Sequence, residues 1–204
     1  AEEKIHRMAR FGALSGLPNR TYFKDLVRSI IQKSPLESYA AFFVIDIDDF
    51  KHVNDSFGHP VGDELLCRLA DRINLISGPD TCFSRFGGDE FVGMLAGFET
   101  AADAETAARQ TLMSHAGTYE VASQSLAVTI SSGIVINRSH AFDLQQMMIK
   151  SDLALYESKV RGKGISTLFA EAMDERYQKR QRLKADLKKA IRDRHLNVFY
   201  QPII

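Results

Sequence analysis

The segment YAAFFVIDID, Tyr39 to Asp48, is an almost unbroken apolar run that stops abruptly in carboxylates. A strand wetted on one face alternates apolar and polar residues, whereas one covered on both faces reads as a continuous apolar stretch. The run therefore predicts a central strand with helices on both sides of its sheet. Other segments arrange themselves around it. The breaker-rich turn Ala13-Leu14-Ser15-Gly16-Leu17-Pro18-Asn19-Arg20 opens a helix over 19–33. From Val61, the residues Leu65, Leu66, Leu69, Ile73 and Ile76 recur at helical spacing. TCFSRF and EFVGMLAG flank Gly87-Gly88 as two strands of a hairpin. Residues 100–116 are Ala-rich and helical, and Ser125 to Ile136 read as one β-branched strand. Leu144, Met147, Met148, Ser151 and Leu155 mark a helix running to about Arg161, before a short strand near 165–169. The hairpin makes the sheet at least partly antiparallel. The expected fold is α/β, a mixed central sheet flanked by helices.

The rest of the chain is constrained by what it lacks. With 204 residues, 45% hydrophobic and 25% charged, the composition is that of a globular chain and not of a disordered one. No run approaches the roughly 18 apolar residues of a membrane span, and the first residues lack the apolar core of a secretory signal. Equal numbers of basic and acidic residues, 26 each, leave no net field to attract nucleic acid or an anionic membrane. Cys67 and Cys82 read as buried thiols of a reducing compartment. The expectation is a cytoplasmic chain that binds no nucleic acid; a longer protein carrying it could still reach a membrane through a segment upstream. Between Asp174 and Arg194, nine basic and four acidic residues surround Leu183, Leu187 and Ile191, the pattern of an exposed basic connector helix. The chain ends in the apolar stretch LNVFYQPII. Expected boundaries are an upstream helix at 1–11, a main domain at 12–169, a linker helix at 170–195 and, at 196–204, the first strand of a further, truncated domain.

Asp46, Asp48 and Asp49 stand where the buried run ends, and Asp89 and Glu90 follow Gly87-Gly88. Carboxylates at neighbouring strand ends form a hard-oxygen pocket suited to Mg2+ rather than zinc, although strand ends also carry acids for solubility alone. The segment Asp49 to Asp55 would point backbone N–H groups at the strand end, with Lys51 adding charge. Neither GxxxxGKS/T nor GxGxxG is present, so P-loop and Rossmann nucleotide binding are unsupported. Asn54 and Asp63 carry groups that can read a guanine edge, the carboxylate accepting from N1–H and N2–H; each alone would be read as a helix cap. Lys159 and Lys163, flanking Gly162, alone would be C-terminal dipole partners.

Together these segments resemble one family. RFGGDEF (Arg85 to Phe91) matches the signature of the GGDEF family, the diguanylate cyclase domains. ALSGLPNR resembles its DxLTGLPNR segment, FVIDIDDFKHVNDSFGHPVGDELL (Phe43 to Leu66) its DxDxFKxxND…GHxxGD block, TISSGI its TxSxGI strand, and KSDLALYESKVRGKG its ADxALYxAKxxGRN segment. The resemblance covers about residues 12–169, with the motifs in order. It implies a palm-like sheet similar to those of adenylyl cyclases and polymerases, and condensation of two GTP into cyclic di-GMP with release of pyrophosphate. It implies Mg2+, with Mn2+ as a substitute, held by Asp46, Asp89 and the carbonyl of Ile47. It implies guanine binding by Asn54 and Asp63, phosphate contacts from Phe50, Lys51, Lys159 and Lys163, and a place for His59 near sugar and base. Asp89 is expected to assist as general base. Successive strand residues alternate faces, so Glu90 is expected as a catalytic group behind it or at a second metal. One such domain holds one GTP, so a two-fold homodimer is implied.

Four departures stand out. Gly12 replaces the Asp of DxLT and Ser15 its Thr; Lys163 and Gly164 replace the Arg and Asn of GRN. A lysine keeps the charge but loses the bidentate fork. The family's product-inhibition site uses RxxD, where this chain has Gly78 and Thr81, so no such feedback site is expected. LKADLKKAIRDRHLNVFYQPII resembles the connecting helix and first strand of an EAL domain, the cyclic di-GMP phosphodiesterase module, which implies a GGDEF–EAL fusion. In such a fusion the first domain can also serve as a weakly catalytic GTP-binding regulator.

Overall fold

The computed structural model describes residues 9–193. Strand β1 (Tyr39–Ile47) is the central strand, paired antiparallel with β3 (Glu90–Phe98) on one side and β6 (Ile130–Arg138) on the other. Strand β2 (Thr81–Gly87) pairs antiparallel with β3, and β7 (Ser166–Leu168) runs parallel to β6. The sheet order is β2-β3-β1-β6-β7, a mixed, mostly antiparallel sheet as expected.

The unbroken apolar run of β1 is explained by two separate cores. Ala41, Phe43, Ile45 and Ile47 pack on one side with α3 (His59–Leu75) and α4 (Ala101–His115). Ala40, Phe42 and Val44 pack on the other with α1 (Arg20–Lys33) and α5 (Leu144–Val160). Alternate side chains thus reach opposite faces, and both faces are covered.

Helix α1 begins where the sequence placed it. The Asn19 side chain accepts from the Tyr22 N–H at 3.0 Å and donates to the Ala9 carbonyl at 2.8 Å. The Ser84 hydroxyl donates to the Pro18 carbonyl at 2.6 Å. These bonds pin the segment before α1 without the carboxylate that Gly12 lacks.

Three expectations are corrected. Ser125 to Ile136 is not one strand: β5 (Gln124–Val128) pairs with β4 (Gly117–Val121) in a separate two-stranded sheet, and β6 starts at Ile130. The break falls at Thr129, whose carbonyl accepts from the Asp48 N–H at 3.0 Å. The turn joining β4 to β5 places Ala122 and Ser123 at φ 47° and 64°, which neither residue type advertises. The helix expected from Val61 starts two residues earlier, at His59, and is parted at Gly58, with φ 90°, from the short helix α2 (Phe50–Phe57), which forms in the segment expected to turn its N–H groups to the strand end. Cys82 is buried, but Cys67 is only partly so, its thiol donating to the Leu14 carbonyl.

From Ala170 the chain forms a second compact unit, whose described part is α6 (Ala172–Arg192). Leu183, Leu187 and Ile191 on it are exposed. No described helix is long and apolar enough to cross a membrane. The upstream helix at 1–11 and the strand at 196–204 fall largely or wholly outside the described residues.

One buried group sets a pH limit. His115 is fully buried at the end of α4, its Nδ1 bonded to the Thr111 carbonyl and its Nε2 without a partner. Burial lowers its pKa below the usual 6.5, the Thr111 hydrogen bond offsets part of this, and Arg72 lowers it again. The unfolded chain therefore binds a proton that the folded chain refuses, so His115 costs stability as pH falls below about 6.5 and costs none above it. The melting temperature of His115→Asn should be lower overall than that of the wild type but should fall less between pH 7 and pH 5. Parallel curves would contradict this account.

Candidate active site

The site begins with cross-strand register. Asp46, next to last in β1, lies directly opposite Glu90 of β3, so the two side chains share one face of the sheet. Asp46, Glu90, Asp152 and Lys159 line a cleft of about 290 Å³. Asp152 and Lys159 are two helical turns apart and so share a side of α5. The Lys159 ammonium stands 2.7 Å from Asp46 Oδ2. Burial raises the Asp46 pKa, the hydrogen bond and charge of Lys159 pull it back, and Asp89 and Asp48 push it up. Glu90 is also raised, by burial first and then by Asp152, Asp46 and Asp89. Crowded carboxylates at a strand end create a field that a cation relieves. A larger hollow of about 730 Å³ between α1 and α5 shares Asp152 but none of the other cleft groups.

Asp89 sits differently from the sequence expectation. Gly87 pairs with Glu90, which leaves Gly88-Asp89 as a two-residue turn. Gly88 takes φ 53°, a conformation cheap only without a Cβ. Arg85 braces the turn, its Nε and Nη2 donating to the Gly88 carbonyl at 2.9 and 2.6 Å. Strand alternation therefore does not govern Asp89: it belongs to the turn, while Glu90 is the group aligned with Asp46. Asp89 is nevertheless close enough to bias both.

A second group forms where α2 and α3 fold against each other. Phe50 is the buried first residue of α2, Lys51 is exposed beside it, and His59 is the exposed first residue of α3. Asn54 presses on Gly62: a Cβ at Gly62 would stand 2.0 Å from Asn54 Oδ1 and 3.2 Å from Phe50 Cζ. The absent side chain of Gly62 thus makes room for the Asn54 amide next to Asp63, which is exposed. These residues lie outside the acidic cleft, on the two helices that leave the end of β1.

A third group joins Lys163 to that strand end. Lys163 Nζ stands 2.7 Å from Asp49 Oδ1, a pair that lowers the Asp49 pKa and raises that of Lys163. Asp48 belongs with the framework: its carboxylate accepts from Ser131 Oγ, Thr129 Oγ1 and the Gly164 N–H. The sequence pattern groups it with the other carboxylates instead. Asp152 is the cleft group that the pattern alone misses; its position two turns before Lys159 is the signal that marks it.

No described His, Cys, Asp or Glu side chains cluster in threes to hold a metal ion. Mg2+, however, commonly takes one or two protein carboxylates and completes its shell with water and substrate phosphates. Carboxylates of Asp46 and Asp89 and a backbone carbonyl are an all-oxygen set of that kind, and the ammonium on Asp46 marks a point where a cation is held. The residues fit the ion.

Comparison with known proteins converges on one family. A family model described as diguanylate cyclase, GGDEF domain, matches residues 9–164. MucR of Pseudomonas aeruginosa, a bifunctional diguanylate cyclase/cyclic di-GMP phosphodiesterase, is 31% identical over 204 residues, covering 99% of this chain and 30% of MucR. Two other curated relatives are spanned over 24% and 26% of their length, so the chain covers less than a third of each of these three. The GGDEF domain of TpbB from Pseudomonas aeruginosa matches with a TM-score of 0.73 at 28% identity, over 82% of this chain and 99% of that one. The coiled coil and GGDEF domain of DgcB from Caulobacter crescentus, solved in complex with c-di-GMP, matches at 0.68 and 28%, over 82% and 89%. Motifs, the family model and these likenesses agree: the chain belongs to the GGDEF family of diguanylate cyclase domains.

Proposed function

We propose that this chain is an active diguanylate cyclase, condensing two GTP into cyclic di-GMP and two pyrophosphates as a Mg2+-dependent two-fold dimer. The observation that carries the reading is the meeting of Asp46 and Glu90 across one strand pair, beside the Asp89 turn. In each half-reaction a 3′-hydroxyl attacks the other nucleotide's α-phosphate, an O–P bond forms, and the bond to the departing pyrophosphate breaks. Positioning and charge neutralisation do most of the work in such transfers. Lys159 and Lys163 would hold the triphosphate, leaving Asp46 and Asp49 to do so. Asn54 and Asp63 would fix the base, with Phe50, Lys51 and His59 beside it, and Asp89 would take the hydroxyl proton, with Glu90 behind it. Mg2+ held by Asp46, Asp89 and the Ile47 carbonyl would supply neutralisation of the phosphate charge. With Gly78 and Thr81 where the family has RxxD, the cyclic product would find no feedback site there; the Gly78 N–H instead bonds to Thr81 Oγ1 at 2.6 Å.

The test is to incubate the chain with GTP and Mg2+, free and as a forced dimer, and to look for cyclic di-GMP and pyrophosphate. Product supports the cyclase. A second reading, a weakly catalytic GTP-binding regulator of an adjacent EAL phosphodiesterase, is favoured by the lysine already seated on Asp46. It predicts GTP binding without product even in the forced dimer.

Gly62→Ala probes the base subsite. The new Cβ displaces a side-chain amide, which can rotate away, so the fold should keep its melting temperature while the Asn54 contact is lost. GTP affinity should fall about tenfold, the worth of one hydrogen bond of this kind. Unchanged affinity by calorimetry would remove Asn54 from the subsite.

A further inference from the structure

Asp48 is only 8% exposed, yet it lies two residues from the open cleft. Its Oδ1 accepts from Ser131 Oγ at 2.6 Å, and its Oδ2 from Thr129 Oγ1 at 3.0 Å and the Gly164 N–H at 2.9 Å. Both oxygens are therefore taken up by the start of β6 and by the loop after α5. That loop is unusual. Gly162, Lys163 and Gly164 have successive positive φ values of 122°, 65° and 62°. For a lysine such a backbone is costly and persists only where the surroundings enforce it. Asp49, which grips the Lys163 ammonium, is itself at φ 57°. Asp49 follows Asp48 in the chain and Lys163 precedes Gly164, whose N–H is bonded to Asp48, so one buried carboxylate fixes the backbone next to both partners of this ion pair.

We propose that Asp48 is the positioning residue for Lys163, tying the loop at Gly164 to the end of β1 and the start of β6 so that the ammonium stands where a triphosphate is received. This deepens the cyclase reading and rests on it. The Lys163 stem is long and carries a single point charge, so its backbone anchor decides where that charge sits. Asp48 reaches it through the Gly164 N–H and touches no nucleotide itself.

The experiment measures GTP and GMP affinity by calorimetry on the full chain for the wild type, Asp48→Ala, Asp48→Asn, Lys163→Ala and the Asp48→Ala/Lys163→Ala double variant. Asp48→Ala should weaken GTP about tenfold, as expected for losing a charge-assisted anchor, and leave GMP within about twofold. Asp48→Asn keeps an oxygen for Gly164 and Thr129 and turns its amide to the Ser131 hydroxyl, so it should recover most of the loss. The double variant should bind GTP no more weakly than Lys163→Ala, since both changes remove one contact. Steady-state turnover should show the loss in KM rather than in kcat. If Asp48→Ala fails to fold, Thr129→Val/Ser131→Ala, which strips the clamp from one side, should show the same selective loss in smaller measure. Equal weakening of GTP and GMP, additive effects, or an asparagine variant as weak as the alanine one would overturn the proposal. A wild type that binds GTP no better than GMP would sink the cyclase reading and this one together; normal wild-type preference with an unaffected Asp48→Ala would sink this one alone.

Discussion

Asp46→Asn is expected to reduce cyclic di-GMP formation by about a thousandfold, the upper end of what losing one preorganised electrostatic group costs. The change is isosteric and removes a single negative charge from the point where β1 meets the cleft. The fold should not suffer. Burial and neighbouring acids hold the Asp46 pKa above its ordinary value, so the folded chain is penalised for ionising it as pH rises through that raised value. A neutral residue removes the penalty at pH 7. The lost partner, Lys159, is 40% exposed on its side chain, and pairs so open to water contribute little. The expected result is thus a near-inactive protein that melts at or slightly above the wild-type temperature. Asp89→Asn should be as severe. Turnover of Asp46→Asn within tenfold of the wild type would remove this carboxylate from the chemistry.

The largest effect on stability should come from Gly133→Ala, far from any charge. Gly133 lies in β6 between Val44 of β1 and Thr167 of β7. A Cβ there would stand 1.9 Å from the Ser151 carbonyl oxygen and 2.4 Å from the Leu155 nitrogen. Both atoms are backbone of α5, so no rotamer relieves the clash and the helix must lift. Met147 and Leu155 on that helix belong to one of the two cores. Overpacking of this kind costs about 3 kcal/mol, which for a chain of this size lowers the melting temperature by about 6–12 °C. Because α5 also carries Lys159, activity should fall with the fold. A melting temperature within about 2 °C of the wild type would mean that α5 moves freely over the sheet, contrary to the packing described.

The outcome at Gly133 differs from that at Gly62, although both are buried glycines inside regular elements. At Gly62 the obstructing atom ends a side chain that can turn aside; at Gly133 it is backbone that cannot. Nothing in the letters distinguishes them. The same holds for the hairpin of β4 and β5, whose turn uses Ala122 and Ser123 in place of the Asn-Gly or Gly pairs that mark such turns.

What the sequence by itself determined is local or periodic. The run from Tyr39 to Asp48 required a strand covered on both faces, because only that environment tolerates uninterrupted apolar side chains. The spacing of apolar residues in α3 and α5 fixed their buried sides, and the ordered motifs identified the family. Only the tertiary structure decided what each acid does. Asp46 and Asp48 are the same residue type two positions apart, yet the first faces a cleft and a lysine while the second is bonded into β6 and the loop of Gly164. Whether Asp89 or Glu90 stands opposite Asp46 followed from a two-residue turn and a pairing register. A carboxylate's role is set by the donors and charges that other segments bring to it, and those arrive only when the chain has folded.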